Sequence, residues 1–173
     1  ALWDDAATLT YVARLDDGVG LVGVPMDSFP TDVSFASTGS GMMYLIVGET
    51  QVNMTNGDVT GTISNVGELE VDVTGLAETT LQTGDVSTAN LSVNIATDTS
   101  GDVCGGAHAF CGGDLSVSVD GIDYTAALAN ENFIAGTFGT TNANAELGGM
   151  INLEAADTAD GLNYINGSFI ASQ

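Results

Sequence analysis

Apolar and polar residues alternate with a period of two through most of the chain. Leu69, Val71 and Val73 interleave with Glu68, Glu70 and Asp72, and Leu115, Val117 and Val119 interleave with Ser116, Ser118 and Asp120. Leu91, Val93 and Ile95 repeat the pattern against Ser92 and Asn94. Near the start, Leu9, Tyr11, Ala13 and Leu15 do so against Thr8, Thr10 and Arg14. Successive side chains of a strand point to opposite faces, so this pattern predicts strands with one wet face. Apolar residues at helical spacing are absent over any useful length, and the chain reads as all-β.

Turn chemistry falls between these runs. Asn56-Gly57, Asp120-Gly121 and Asp160-Gly161 each sit between alternating segments, and such pairs supply the positive φ angles of two-residue hairpins. The count of candidate strands is about two before the region from Pro25 to Pro30 and about eight or nine after it; antiparallel strands in that number close into a barrel or stack as a sandwich. We expect an antiparallel up-and-down β-barrel of about eight strands, preceded by an additional N-terminal strand segment. Both prolines and several Ser, Thr and Gly lie between Pro25 and Gly41. The predicted division is therefore an N-terminal strand segment and linker over 1–41 and the barrel over 42–173.

Charge narrows the class of partner. The 173 residues hold 23 acidic side chains against one cation, Arg14, for a formal net charge of -22. Such a surface repels phosphate backbones and anionic membranes, so neither nucleic acid nor direct membrane insertion is expected. The acidity reads as a solvating surface suited to salt water, and the competing reading is a surface that takes up cations or a basic partner. No apolar run approaches the roughly 20 residues of a membrane helix. No basic segment followed by an apolar stretch opens the chain, so any export signal is expected to have been removed before Ala1.

Cys104 and Cys111 enclose a short glycine-containing loop, which we read as a disulfide between two strands and hence as a sign of an oxidising, extracellular or cell-surface compartment. The alternative, a metal or redox pair, prefers closer spacing and more His or Cys nearby. A nucleophile needs a base beside it, and His108, in that same loop, is the single His of a chain without lysine. No enzyme, no catalytic residue and no cofactor is expected; the competing role for His108 is a haem or metal ligand. Asp98, Asp102, Asp157 and Asp160 sit near glycines but do not match the spacing of a calcium loop, and they read as turn residues, so no metal site is expected.

Two stretches carry a resemblance. Gly136-Thr137-Phe138-Gly139 followed by Ala145-Glu146-Leu147-Gly148-Gly149, and the ending Gly167-Ser168-Phe169-Ile170-Ala171, resemble the signature of the transferrin-binding-protein-like β-barrel family of bacterial surface proteins. The likeness covers residues 136–173 and extends by strand count loosely back to Met42. It implies an eight-stranded barrel on the cell surface that holds host or nutrient proteins. The family's lipoproteins begin at a lipidated cysteine where Ala1 stands here, and Ser172-Gln173 replace a basic residue usual near the end, so no binding residue is carried over. In a bacterial chain the sequons at Asn53, Asn90 and Asn166 read as ordinary strand and turn residues.

Two functions follow as expectations. The first is a structural or adhesive surface protein that assembles with itself into fibres, pairing Ala7, Leu9, Tyr11, Ala13 and Leu15 of one copy with a neighbouring sheet. The second is a capture module for a host or nutrient protein, as the resemblance implies.

Overall fold

The computed structural model describes residues 11–15, 18–22, 31–97, 109–129, 131–139, 145–154 and 161–173, with the backbone alone at 11–15, 18–22, 37–40 and 109. Among them are twelve strands: β1 (Tyr11–Leu15), β2 (Gly18–Val22), β3 (Val33–Val47), β4 (Thr50–Ile63), β5 (Leu69–Leu81), β6 (Val86–Ala96), β7 (Ala109–Phe110), β8 (Gly113–Val119), β9 (Ile122–Leu128), β10 (Phe133–Phe138), β11 (Glu146–Glu154) and β12 (Leu162–Ser172). Two strands precede the prolines and ten follow them. Every pairing is antiparallel.

Ten of the strands form one sheet, in the order β7-β10-β11-β12-β3-β4-β5-β6-β8-β9. Its two ends are joined through the chain. β7 runs into β8 across Cys111 and Gly112. β9 leads into β10 by a tight excursion in which the Ala129 carbonyl accepts from the amides of Asn132 at 3.1 Å and Phe133 at 3.0 Å, while Asn132 Oδ1 accepts from the Ala129 amide at 2.8 Å. Taken as bent strands, β7/β8 and β9/β10 pair along each other, and eight positions surround the wall: β3, β4, β5, β6, β7/β8, β9/β10, β11 and β12. The molecule is an antiparallel up-and-down barrel, closed between its first and last strands by the ladder from β3 to β12.

The period-two pattern explains which way each strand faces. Leu69, Val71, Val73, Leu91, Val93, Ile95, Leu115 and Val117 are buried in one cluster, against which the half-buried Val119 packs. Glu68, Glu70 and Ser116 are exposed. Phe35, Met43, Met54, Phe110, Phe133 and Phe169 fill the interior with large side chains.

Turns divide the expectations. Asp120-Gly121 joins β8 to β9 with both residues at positive φ, 48° and 82°, as a type I′ turn requires. Asp120 Oδ1 also accepts from the Asn90 amide at 2.8 Å, tying that turn to β6. Asn56-Gly57 is not a turn. Both residues lie inside β4, where its register against β3 and β5 slips. The glycine is needed there for close approach, since a Cβ on Gly57 would meet Met54 Cε at 2.8 Å and Val73 Cγ1 at 3.0 Å. The β3–β4 hairpin turns instead through Gly48-Glu49, with Gly48 at φ 57°. Gly161 begins β12's approach at φ 87°, and its partner Asp160 lies outside the described residues.

The boundary expected between residues 41 and 42 falls in the middle of β3, a barrel strand from Val33 onward. Gly41 resembles a linker residue in composition, yet a Cβ on it would overlap the Val73 side chain inside the wall.

Candidate functional site

β1 and β2 form a hairpin of their own, with register from Tyr11↔Val22 to Leu15↔Gly18. It lies against β10 and β11. Those two strands are buried on both faces over 136–138 and 146–151: Phe133, Ala135, Leu147 and Ile151 face the barrel interior, while Phe138 at 6% exposed, Met150 at 1% and Glu146 at 7% are covered on the outer side. The pattern of β11, six consecutive buried residues from Glu146, is the trace of that cover. Gly136 and Gly148 stand opposite each other in the ladder on the same outer side. The first of the two stretches that carry the resemblance, residues 136–149, thus includes parts of the strands on which the hairpin rests, and the second belongs to β12.

Of the expected assembly positions, Tyr11, Ala13 and Leu15 belong to β1, and Ala7 and Leu9 lie outside the described residues. β1 pairs with β2 and not with a barrel strand, so the additional N-terminal segment is a two-stranded unit. Each of its strands has one further edge with no strand beside it among the described residues.

A second free edge belongs to β9. It stands at one end of the ten-stranded order, with no second strand beside it among the described residues; β11, which pairs with β10 and β12, is described as far as Glu154. Beside β9 the barrel mouth opens as a cavity of about 260 Å³ lined by Val47, Val52, Thr79, Ala89, Ile122 and Tyr124 among others. Its floor is apolar, and Thr79 Oγ1 and Ser87 Oγ share a hydrogen bond of 2.7 Å on the wall near it. Ile122 at 61% exposed and Leu81 at 45% stand at this end of the barrel, where the turns at 48–49 and 120–121 also lie. The arrangement offers backbone donors and acceptors along one line, with an apolar depression next to it. That chemistry suits an extended chain whose alternate side chains are apolar.

Cys111 is 3% exposed and disulfide-bonded; Cys104 lies outside the described residues. We expect mass measurement after alkylation without reductant to show no modified cysteine. In the loop-entropy view, closing so short a loop contributes about 2.5 kcal/mol, and two alkylated thiols would refute the pairing of Cys104 with Cys111. His108, Asp98, Asp102, Asp157 and Asp160 lie outside the described residues. Among the described residues no three His, Cys, Asp or Glu side chains come together as a metal site, and no helix is long and apolar enough to cross a membrane. Asn53 and Asn90 are exposed and Asn166 is half-buried. The edge of β9 escaped the sequence reading because it depends on which strands pair with which, and alternation does not encode that.

The chain matches no protein-family model, no curated protein and no solved structure.

Proposed function

We propose that this chain is a non-catalytic, exported surface protein that assembles with copies of itself by strand addition, in a structural or adhesive role. One observation carries the reading: a barrel that pairs nearly all of its strands on both sides leaves the edges of the β1–β2 hairpin and the edge of β9 without strand neighbours among the described residues. A closed barrel ordinarily abolishes edges, and exposed ones are templates for pairing with another chain. Contacts between two different edges are heterologous, and they propagate into open filaments unless the rotation closes a ring.

Charge sets the conditions. Copies carrying -22 each repel one another, and the Debye length falls from about 10 Å at 0.1 M salt to about 3 Å at 1 M. Electron microscopy and gel filtration of the full chain should show polymers favoured by high salt. Val12→Pro removes a backbone donor from β1, and Ile122→Lys places a charge at the exposed end of β9, a common way of blocking an edge. Both should lower the polymer fraction. Polymers unchanged in both variants would place assembly elsewhere on the surface.

The cavity beside Ile122 and Leu81 favours a second reading, a transferrin-binding-protein-like capture module that takes an apolar segment of a host or nutrient protein into its mouth. A full chain that stays monomeric at every salt concentration selects this second reading.

A further inference from the structure

Residues far apart in the chain meet in one row across the outer wall. Asn152 of β11 stands opposite Asn166 of β12, Asn166 opposite Tyr44 of β3, and Tyr44 opposite Asn53 of β4. At about 4.8 Å per strand spacing, the row runs about 14 Å. Its members hold one another in place. Asn152 Oδ1 accepts from Asn166 Nδ2 at 3.0 Å and from the Tyr164 hydroxyl at 3.2 Å, and the rings of Tyr44 and Tyr164 meet edge to face with centroids 6.0 Å apart. With Asn152 Oδ1 committed twice, its Nδ2 donors, the Asn166 Oδ1 acceptor and the whole Asn53 amide have no partner among the described residues.

The row carries no formal charge in a chain of -22; among the described residues the nearest carboxylates in the ladders are Glu78, opposite Asn53 on β5, and Glu154, opposite Tyr164. A second observation points to a ligand. A depression of about 110 Å³ borders the row, lined by Met42, Tyr44, Asn53, Asn166 and Ser168 among others. Ser168, one of the lining residues, is 0% exposed, and its buried hydroxyl has no hydrogen-bond partner. Buried hydroxyls nearly always have one.

We propose that this face, formed by β11, β12, β3 and β4, binds a neutral carbohydrate. Sugar rings offer an apolar face, which an aromatic ring covers, and a rim of hydroxyls that both donate and accept. Side-chain amides match that rim because each carries donors and an acceptor together. Acidic sugars are rejected by the field of the surrounding carboxylates. The length of the row suits a short oligosaccharide lying across the strands. The face is separate from the β1–β2 hairpin edges and from the edge of β9, so it operates whether the chain is a monomer or a polymer, and it would make an assembled fibre adhesive.

The test uses the monomeric fraction of the full chain on immobilised neutral gluco-, manno- and galacto-oligosaccharides, beside sialylated and sulfated oligosaccharides. At least one neutral class should bind and the acidic ones should not. Asn53→Ala changes an exposed side chain and should weaken binding about tenfold, as should Tyr44→Ala, while Tyr44→Phe retains most of it. Asn94→Ala, on β6, should leave it unchanged. Melting temperatures matching the unsubstituted chain confirm that the folds compare, and if Tyr44→Ala melts early, Asn53→Ala and Asn166→Ala decide. Absence of binding to every neutral class, preference for the acidic oligosaccharides, or full binding by Asn53→Ala and Asn166→Ala overturns the proposal.

Discussion

Val117→Asp is expected to cost about 3 to 5 kcal/mol, the usual range for an uncompensated buried charge, and so to remove much or all of the folded population of a domain with ordinary stability. Val117 is 1% exposed, on β8 between Val93 of β6 and Tyr124 of β9, with its side chain inside the barrel. A carboxylate there has no cation to meet: the chain has no lysine, and its one arginine, Arg14, belongs to β1, outside the barrel wall. Ser116→Asp is the control, because Ser116 is exposed on the other face of the same strand, and it should change stability by no more than about 0.5 kcal/mol. Urea unfolding of the two variants reads the difference. Equal midpoints would show that β8 is turned the other way and that the core has been assigned to the wrong face.

Gly149→Val is expected to cost about 3 kcal/mol by overpacking. Gly149 of β11 sits opposite Phe169 of β12, and a Cβ built on it would run into the Phe169 ring, which is fully buried. The ring lies over the glycine and fills the room a side chain would take. Combining Gly149→Val with Phe169→Leu returns some of that room, so the double variant should lose less than the sum of the two single losses. Strict additivity would mean that the ring moves aside freely. The same contact explains part of the Glu146-Leu147-Gly148-Gly149 stretch in physical terms. One glycine is required by the aromatic ring inside the wall, and the other belongs to the outer side on which the hairpin rests.

Much of the architecture was legible before the structure, because alternation reports directly on which face of a strand is buried. Leu69, Val71 and Val73, or Leu115 and Val117, needed only that reasoning. Asp120-Gly121 was legible as a turn because both residues tolerate positive φ. Asn56-Gly57 carries the same signature for a different reason. The space for a side chain at Gly57 is taken by Met54 and Val73 across a slipped register, and a local pair of letters does not reveal what stands opposite. Gly48-Glu49 lacks the Asn or Asp that marks such turns and passed unnoticed. The boundary at 41/42 failed similarly, since the small residues around Gly41 look like a linker until Val73 is seen to occupy the missing volume. The row of Asn152, Asn166, Tyr44 and Asn53 was invisible for a more basic reason. Its members are joined only by register, and the two halves lie about a hundred positions apart in the chain.

The ladder from β3 to β12 also governs how the chain reaches its native state. Most ladders join neighbours in sequence and can form as hairpins, but this one brings Val47 to Leu162 and Ala36 to Ser172. The wall cannot close until β12 is in place. Until then β3, paired with β4 on one side, presents its other edge unpaired beside an open apolar face. Ladders of such long range are the slow step of β-sheet folding, and exposed strands are where wrong partners attach. A chain in which β12 has not yet joined the sheet is therefore in a vulnerable state. The net charge of -22 opposes the association of unfinished copies during that interval.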